Sequence, residues 1–292
     1  MRKITSVSKW TSSQLMTNLN FEVNYYRDKD FKAVNLHSHD FYELYFFING
    51  DASYIIENGH YRLQSGDILL ISPQNLHQLD INDSRETYER IVLWLNPRYV
   101  RSLSTQDTDL AECFKACDGR KSFLLRDGEL SQNVQDMLYE LYDCREKRDF
   151  GKDIEEETLV KRLLLALSRF TLENNDLQEA VKRRRADATV SAIMRYIDDN
   201  IDGDLSLDTI AEKIYLNKFY LSRLFKSETN STLHQYVLKK RLLLSKKLIE
   251  KDTPITEVYV KCGFNDYSHF FRAFKTEYGI TPKQYHTLIS MP

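Results

Sequence analysis

The spacing of apolar side chains along the chain changes character twice. Between residues 21 and 95 they come in short runs, among them "FYELYFFIN" (41–49), "SYIIE" (53–57), "GDILLI" (66–71) and "RIVLWL" (90–95). Aromatic and β-branched runs of this length read as strands. Turn residues separate them at Asn49-Gly50-Asp51, Asn58-Gly59, Ser65-Gly66-Asp67 and Ser72-Pro73. Strands this short, joined this tightly, favour a small barrel or double-sheet roll over a parallel sheet. From about residue 130 to 175 the period becomes helical. Val134, Met137, Leu138, Leu141 and Tyr142 make one stripe, and Leu159, Leu163, Ala166 and Phe170 a second. The second stripe fits either a core helix packed on the barrel or a helix that pairs two chains. The polar stretch "ENNDLQEAVKRRRADAT" (173–189) then reads as an exposed linker.

Residues 187–288 are almost wholly helical. A long segment (231–251) places Leu233, Val237, Leu244 and Leu248 on one side; Ser206 and Thr253 fit as N-caps, with Pro254 at a first helical position. The expected organisation is multidomain: an all-β barrel over 1–105, a helical packing or dimerisation region over 106–178, a linker at 179–186 and an all-α domain over 187–292.

Within the last region one surface occurs twice. "YLSRLFKSE" (220–228) returns 49 residues later as "HFFRAFKTE" (269–277). A short helical stretch precedes each copy, "LSLDTIAEKIY" and "PITEVYVKC", followed by a tight connection that contains Gly263 in the second. Helix, short turn and second helix form a helix-turn-helix unit. The offset takes Leu221 to Phe270 and Phe225 to Phe274, an inward pair. It also takes Arg223 to Arg272 and Lys226 to Lys275, an outward pair, and the cap Asn217 to Asp266. A helix kept only for packing needs the apolar pair and not the cations. An exposed Arg can donate two bonds to the O6 and N7 of guanine, whereas Lys suits phosphates. The candidate base contacts are Lys218, Phe219, Ser222 and Arg223 in the first copy and Tyr267, Ser268, Phe271 and Arg272 in the second. Lys226 and Lys275 are the candidate phosphate contacts.

Charge agrees with that placement. Residues 1–181 carry 22 basic and 30 acidic side chains, "KRRR" (182–185) follows, and residues 186–292 carry 15 basic and 13 acidic. An acidic front and a mildly basic back put any polyanion contact at the back. The chain has 292 residues, room for two or three domains. No apolar run approaches a membrane span, and "MRKITSVSKW" lacks the apolar core of a signal peptide, so a cytoplasmic protein is expected. Four cysteines without CxxC spacing fit reduced thiols.

Residues 186–288 resemble the DNA-binding domain of the AraC/XylS family of bacterial transcription regulators. The matching residues are "IA" (210–211), "YLSRLFK", Arg241, "GFND" (263–266), "FFRAFK" (270–275) and "GITPKQY" (279–285). The resemblance implies two helix-turn-helix motifs joined by a long helix, each placing a recognition helix in one of two successive major-groove segments, about 34 Å apart. Four positions depart from the family pattern. Asn230 replaces a common Gly, Ser245 a common Ala, Tyr259 a small Ala, and Phe271 a Ser or Thr on the DNA-facing side. The bulk of Tyr259 is expected to alter how the second recognition helix seats.

At the front, "HSHDFYELYFFING" reads H-x-H-x3-E-x6-G. With "GDILLISPQNLH" it resembles the two motifs of the cupin barrel and the ligand-binding domain that precedes many AraC-type DNA-binding domains. On a strand His37, His39 and Glu43 share parity, with Tyr45 and Phe47 continuing the face. His77 would complete a three-His, one-carboxylate set that a divalent transition metal could use. The second motif is one residue shorter than the P-x-G-x-x-H of metal-dependent cupins and lacks its Gly, so no metal cofactor is favoured. The favoured role for His37, His39, Glu43, Tyr45, Phe47, His77 and Trp94, with Phe41 as stacking surface, is contact with a small-molecule effector such as a carbohydrate. The expected partners are double-stranded DNA, that effector and a second copy of the chain, with RNA polymerase added for an activator and no membrane. Two alternatives stay open: a metal-dependent cupin enzyme fused to a DNA-binding tail, and a ligand-independent regulator whose barrel only dimerises.

Overall fold

The computed structural model describes residues 8, 16–31, 33–57, 59–120, 122–145, 149–174, 185–229 and 231–289. They belong to two compact units, Met1–Arg183 and Arg184–Pro292.

The front unit is the double-sheet roll that the short strands imply. Its strands are β1 (Phe21–Asp28), β2 (Ala33–His37), β3 (Tyr42–Asn49), β4 (Asp51–Ile56), β5 (Gly59–Arg62), β6 (Ile68–Ile71), β7 (His77–Asp83), β8 (Tyr88–Leu95) and β9 (Leu124–Leu125). One sheet runs β1-β8-β3-β6-β9 and the other β2-β7-β4-β5, with every pairing antiparallel. β3 lies between β8 and β6, and Glu43 to Phe47 are all buried. A strand covered on both faces loses the simple alternation of a half-exposed one.

Helices α1 (Pro97–Leu103), α2 (Glu112–Arg120), α3 (Gly128–Arg145) and α4 (Lys152–Glu173) complete the unit. The helices of the stretch 106–178, expected as a region of its own, share one hydrophobic core with the strands. β9 adds to the sheet edge from within that stretch, and Arg126 donates to both oxygens of the buried Asp67 at 2.6 Å. The whole stripe from Val134 to Tyr142 on α3 is buried. On α4 the buried face is Leu159, Val160, Leu163, Leu164 and Leu167, while Ala166 and Phe170 are only half-buried. The core side of α4 is therefore turned from the expected stripe, and it packs on α2 and α3 as a core helix.

The back unit holds α5 (Arg185–Asp199), α6 (Leu207–Lys213), α7 (Lys218–Thr229), α8 (Leu233–Glu250), α9 (Ile255–Lys261), α10 (Tyr267–Tyr278) and α11 (Pro282–Ile289). Of the linker expected at 179–186, residues 179–184 lie outside the described residues, and Arg185 already opens α5. Asn230 also lies outside them. Ser206 caps α6, its hydroxyl accepting from the Thr209 N–H. Thr253 is not a cap: α9 begins at Ile255 with Pro254 in the cap position, and the Pro254 carbonyl accepts from Glu257 and Val258. The ring fixes φ near −54° there, while the extended ψ of 131° keeps Pro254 out of the first turn. α8 opens on a capping box between Thr232 and Gln235. Its buried residues include Leu233, Val237, Leu242, Leu243 and Ile249, with Leu244 and Leu248 half-buried. It touches α7, α9, α10 and α11, so a single apolar stripe would not cover it.

Candidate functional site

α7 and α10 are each 12 residues long and start 49 residues apart, so the sequence repeat is a repeat of whole helices. Leu221, Phe225, Phe270 and Phe274 are fully buried, an i,i+4 pair in each helix that sets which side faces inward. Asn217 accepts from the N–H of Phe219 and Tyr220, and Asp266 from that of His269, which anchors both helix starts. The outward side of α7 exposes Phe219, Ser222, Arg223 and Lys226; that of α10 exposes Tyr267, Ser268, Arg272 and Lys275. Lys218 and Phe271 are half-buried. Lys218 is engaged by Asp208 on α6 at 2.7 Å, so the predicted contact is held within its own motif. Phe271 lies beside the ring of Tyr267, 6.0 Å between centroids, and Tyr267 meets Tyr259 edge-on at 5.9 Å. The bulk of Tyr259 is thus taken up against the first residue of α10.

The two connections differ. Tyr215 takes the left-handed conformation after α6, whereas Gly263 does so after α9. Arg241, one of the matching residues, is half-buried. It donates to the Ile201 carbonyl at 3.0 Å and the Gly203 carbonyl at 2.6 Å, tying α8 to the end of α5.

In the front unit the predicted residues converge, but not as one strand face. β2 ends at His37 and β3 begins at Tyr42, leaving His39 in the corner between the two sheets. His37 pairs with His77 across β2 and β7, and Glu43 pairs with Trp94 across β3 and β8. The corner brings His39 Nε2 to 3.3 Å from Glu43 Oε2, and the His39 and His77 ring centroids to 4.8 Å. His37 stands 4.0 Å from His77 by the same measure. The short second motif closes because Gln74 adopts φ 68° in place of the missing Gly and donates its N–H to the His39 carbonyl.

Each imidazole gives Nδ1–H to a main-chain carbonyl: His37 to Asn35, His39 to Phe41 and His77 to Asn75. Trp94 Nε1 donates to Glu43 Oε2 at 2.9 Å and the Tyr54 hydroxyl to Oε1 at 3.4 Å. Burial pushes the Glu43 carboxyl up, but the bond and charge of His39, the charge of His37 and the Trp94 N–H outweigh it and hold the carboxyl below its usual range. Burial and the charges of His37 and His39 hold His77 well below the usual imidazole range, so it is neutral at pH 7.

Tyr45 and Trp94 line the cavity inside the roll with Glu43, Tyr54, Tyr88 and Arg90. That cavity encloses about 30 Å³, close to the share of one water and far below a sugar ring. The polar groups around it are engaged with one another. Tyr45 bonds the Tyr88 hydroxyl, and Arg90 pairs with Asp28 and lies over Tyr26, Phe31 and Tyr88. Phe47 is buried and does not line it. Tyr54 and Arg90 went unmarked in the sequence, although an Arg opening the apolar run "RIVLWL" was a signal. A groove of about 960 Å³ between α4 and the α1–α2 segment, lined in part by Arg101, Asp109, Lys115 and Arg169, was equally unmarked.

Residues 18–164 match the family described as the AraC-like ligand binding domain, and residues 210–287 match a helix-turn-helix domain family. The chain is 24% identical over 250 residues to the HTH-type transcriptional activator RhaS of Escherichia fergusonii, spanning 85% of this chain and 86% of that one. It is also similar to the fatty-acid-bound structure of ToxT from Vibrio cholerae, at 17% identity and TM-score 0.38, covering 95% of this chain and 98% of that one. The C-terminal domain of AraT from Geobacillus stearothermophilus is 28% identical at TM-score 0.35, covering 36% of this chain and 88% of that one.

Proposed function

The chain belongs to the AraC family, as a DNA-binding transcription regulator with a ligand-binding domain, and on that premise we propose which parts of it read DNA and which sense. Arg223 and Arg272 contact base edges. Ser222, Phe219, Tyr267, Ser268 and Phe271 shape the fit, and Lys226 and Lys275 contact phosphates. Lys218 contributes through its hold on Asp208. The observation that carries this is the doubled helix, in which the same outward Arg and Lys recur over the same buried pair. Because Ser222 becomes Phe271 in the second helix, the two half-elements differ in sequence.

The front unit senses a small effector at the buried His-Glu-Tyr-Trp cluster, and the effector acts by binding the DNA-competent arrangement more tightly than the idle one. A second copy pairs through α4, where exposed Ile154 and Leu172 stand about five turns apart on one side. The chain acts in the cytoplasm, and RNA polymerase is a further partner if, like the RhaS relative, it activates. No helix among the described residues is long and apolar enough to cross a membrane.

Selection of binding sites from random duplexes tests the DNA reading. The chain should enrich a site with two unlike elements about one helical turn apart. Arg223→Ala should relax discrimination in one element and Arg272→Ala in the other, by about 1–3 kcal/mol per lost bidentate contact. Lys226→Ala should weaken all sites alike and lower the salt slope by about one. Discrimination unchanged in both Arg variants would remove them from the base-reading set.

A further inference from the structure

We propose that His39, His77 and Glu43 bind a divalent first-row transition-metal ion, so that what the front unit holds at its buried cluster is a metal rather than a sugar. The inference rests on the sensor reading of that unit and names its ligand.

The donor atoms are already gathered. One from each of the three residues lies within 4.8 Å of the other two, and all three residues are buried. The 3.3 Å between His39 Nε2 and Glu43 Oε2 matches a tetrahedral edge of about 3.4 Å for bonds of about 2.1 Å. His77 Nε2, within 4.8 Å of the other two donors, must draw in by up to about 1.4 Å to reach that edge. Both rings face the right way. With Nδ1 of each ring bonded to the Phe41 and Asn75 carbonyls, Nε2 is the nitrogen left to face the cluster, the atom a metal would take. Buried polar atoms ordinarily find a partner, yet His77 is fully buried and its Nε2 has no hydrogen bond. Glu43 is oriented by Trp94 and Tyr54, the kind of support that ligating carboxylates receive.

Chemistry and size select the ion. Two imidazoles and one carboxylate suit Zn, Fe, Ni or Co, and not calcium or magnesium, which take oxygen sets. The cavity of about 30 Å³ that Glu43 lines leaves no room for a carbohydrate. Glu43 lies on β3 of one sheet and His77 on β7 of the other, so the ion would join the two sheets.

The test uses full-length protein stripped with chelator and dialysed against Zn²⁺, Co²⁺, Ni²⁺ or Mn²⁺, with bound metal measured directly and Co²⁺ followed by its visible absorption. One equivalent per chain is expected for at least one ion, with a tetrahedral-type Co²⁺ spectrum. His39→Gln and His77→Gln should each weaken binding by about tenfold or more. His234→Gln, an exposed histidine on α8, should change nothing. If circular dichroism shows that a buried variant has unfolded, the wild-type stoichiometry and Co²⁺ spectrum decide alone. Substoichiometric binding of every ion overturns the proposal, as does full binding retained by a folded His39→Gln, His77→Gln double variant. Duplex selection on the same samples separates the two readings. Protein that selects a DNA site but takes up no metal sinks the metal site and keeps the regulator. Protein that takes up one equivalent but selects no site does the reverse.

Discussion

Gly263 shows how much a single residue can carry in this chain. It sits at φ 77°, and a Cβ there would lie 2.7 Å from the Ile201 carbonyl and 2.8 Å from Arg241 Nη2. Those are the groups that hold α8 to the end of α5, so Gly263→Ala meets both backbone strain and a displaced Arg241. A loss of about 1–3 kcal/mol is expected, read as a lower urea midpoint. Gly151, at φ 81° with nothing within 4 Å, is the comparison, and its Ala variant should cost about 1 kcal/mol or less. Equal losses would deny the close approach. The sequence pointed to Gly263 as part of a tight connection and to Arg241 only through a family resemblance. Their shared purpose depends on carbonyls about 40 and 60 positions away, which no local pattern reports.

At the scale of elements, local signals served wherever the partner groups were local. The caps Ser206, Asn217 and Asp266 act within three residues of themselves, and all three could be read from the chain. Thr253 failed as a cap because the helix starts beyond Pro254, a choice the ψ of the proline makes. Thr232→Ala should therefore cost about 1 kcal/mol by removing the box with Gln235. Thr253→Ala should stay within about 0.5 kcal/mol. Thermal unfolding of the pair checks the ranking, and a reversed order would contradict the assigned start of α9. The buried face of α4 departs from its sequence stripe for a different reason. Heptad spacing and a globular face share positions 159 and 163, and only contact with α2 and α3 shows which neighbours continue the face.

As a whole molecule the chain is two units with cores of their own, the second including Leu242, Ile249, Val258, Cys262, Phe264, Phe270 and Phe274 around α8 to α10. Residues 184–292 expressed alone should give a helical circular dichroism spectrum and bind the selected duplex, more weakly if pairing of chains adds affinity. A fragment that is unfolded under native conditions would refute independent folding. The DNA-binding unit was legible in the sequence by itself, down to which side of each repeated helix faces out. That side is set by positions three and four residues apart, and the 49-residue echo states it twice. The front unit was legible only as a list of candidates. Whether His39, Glu43 and His77 meet, and whether space remains beside them, depended on two sheets, a corner and a left-handed Gln74. Those distances are set by packing between strands far apart in the chain, and tertiary structure alone decided them.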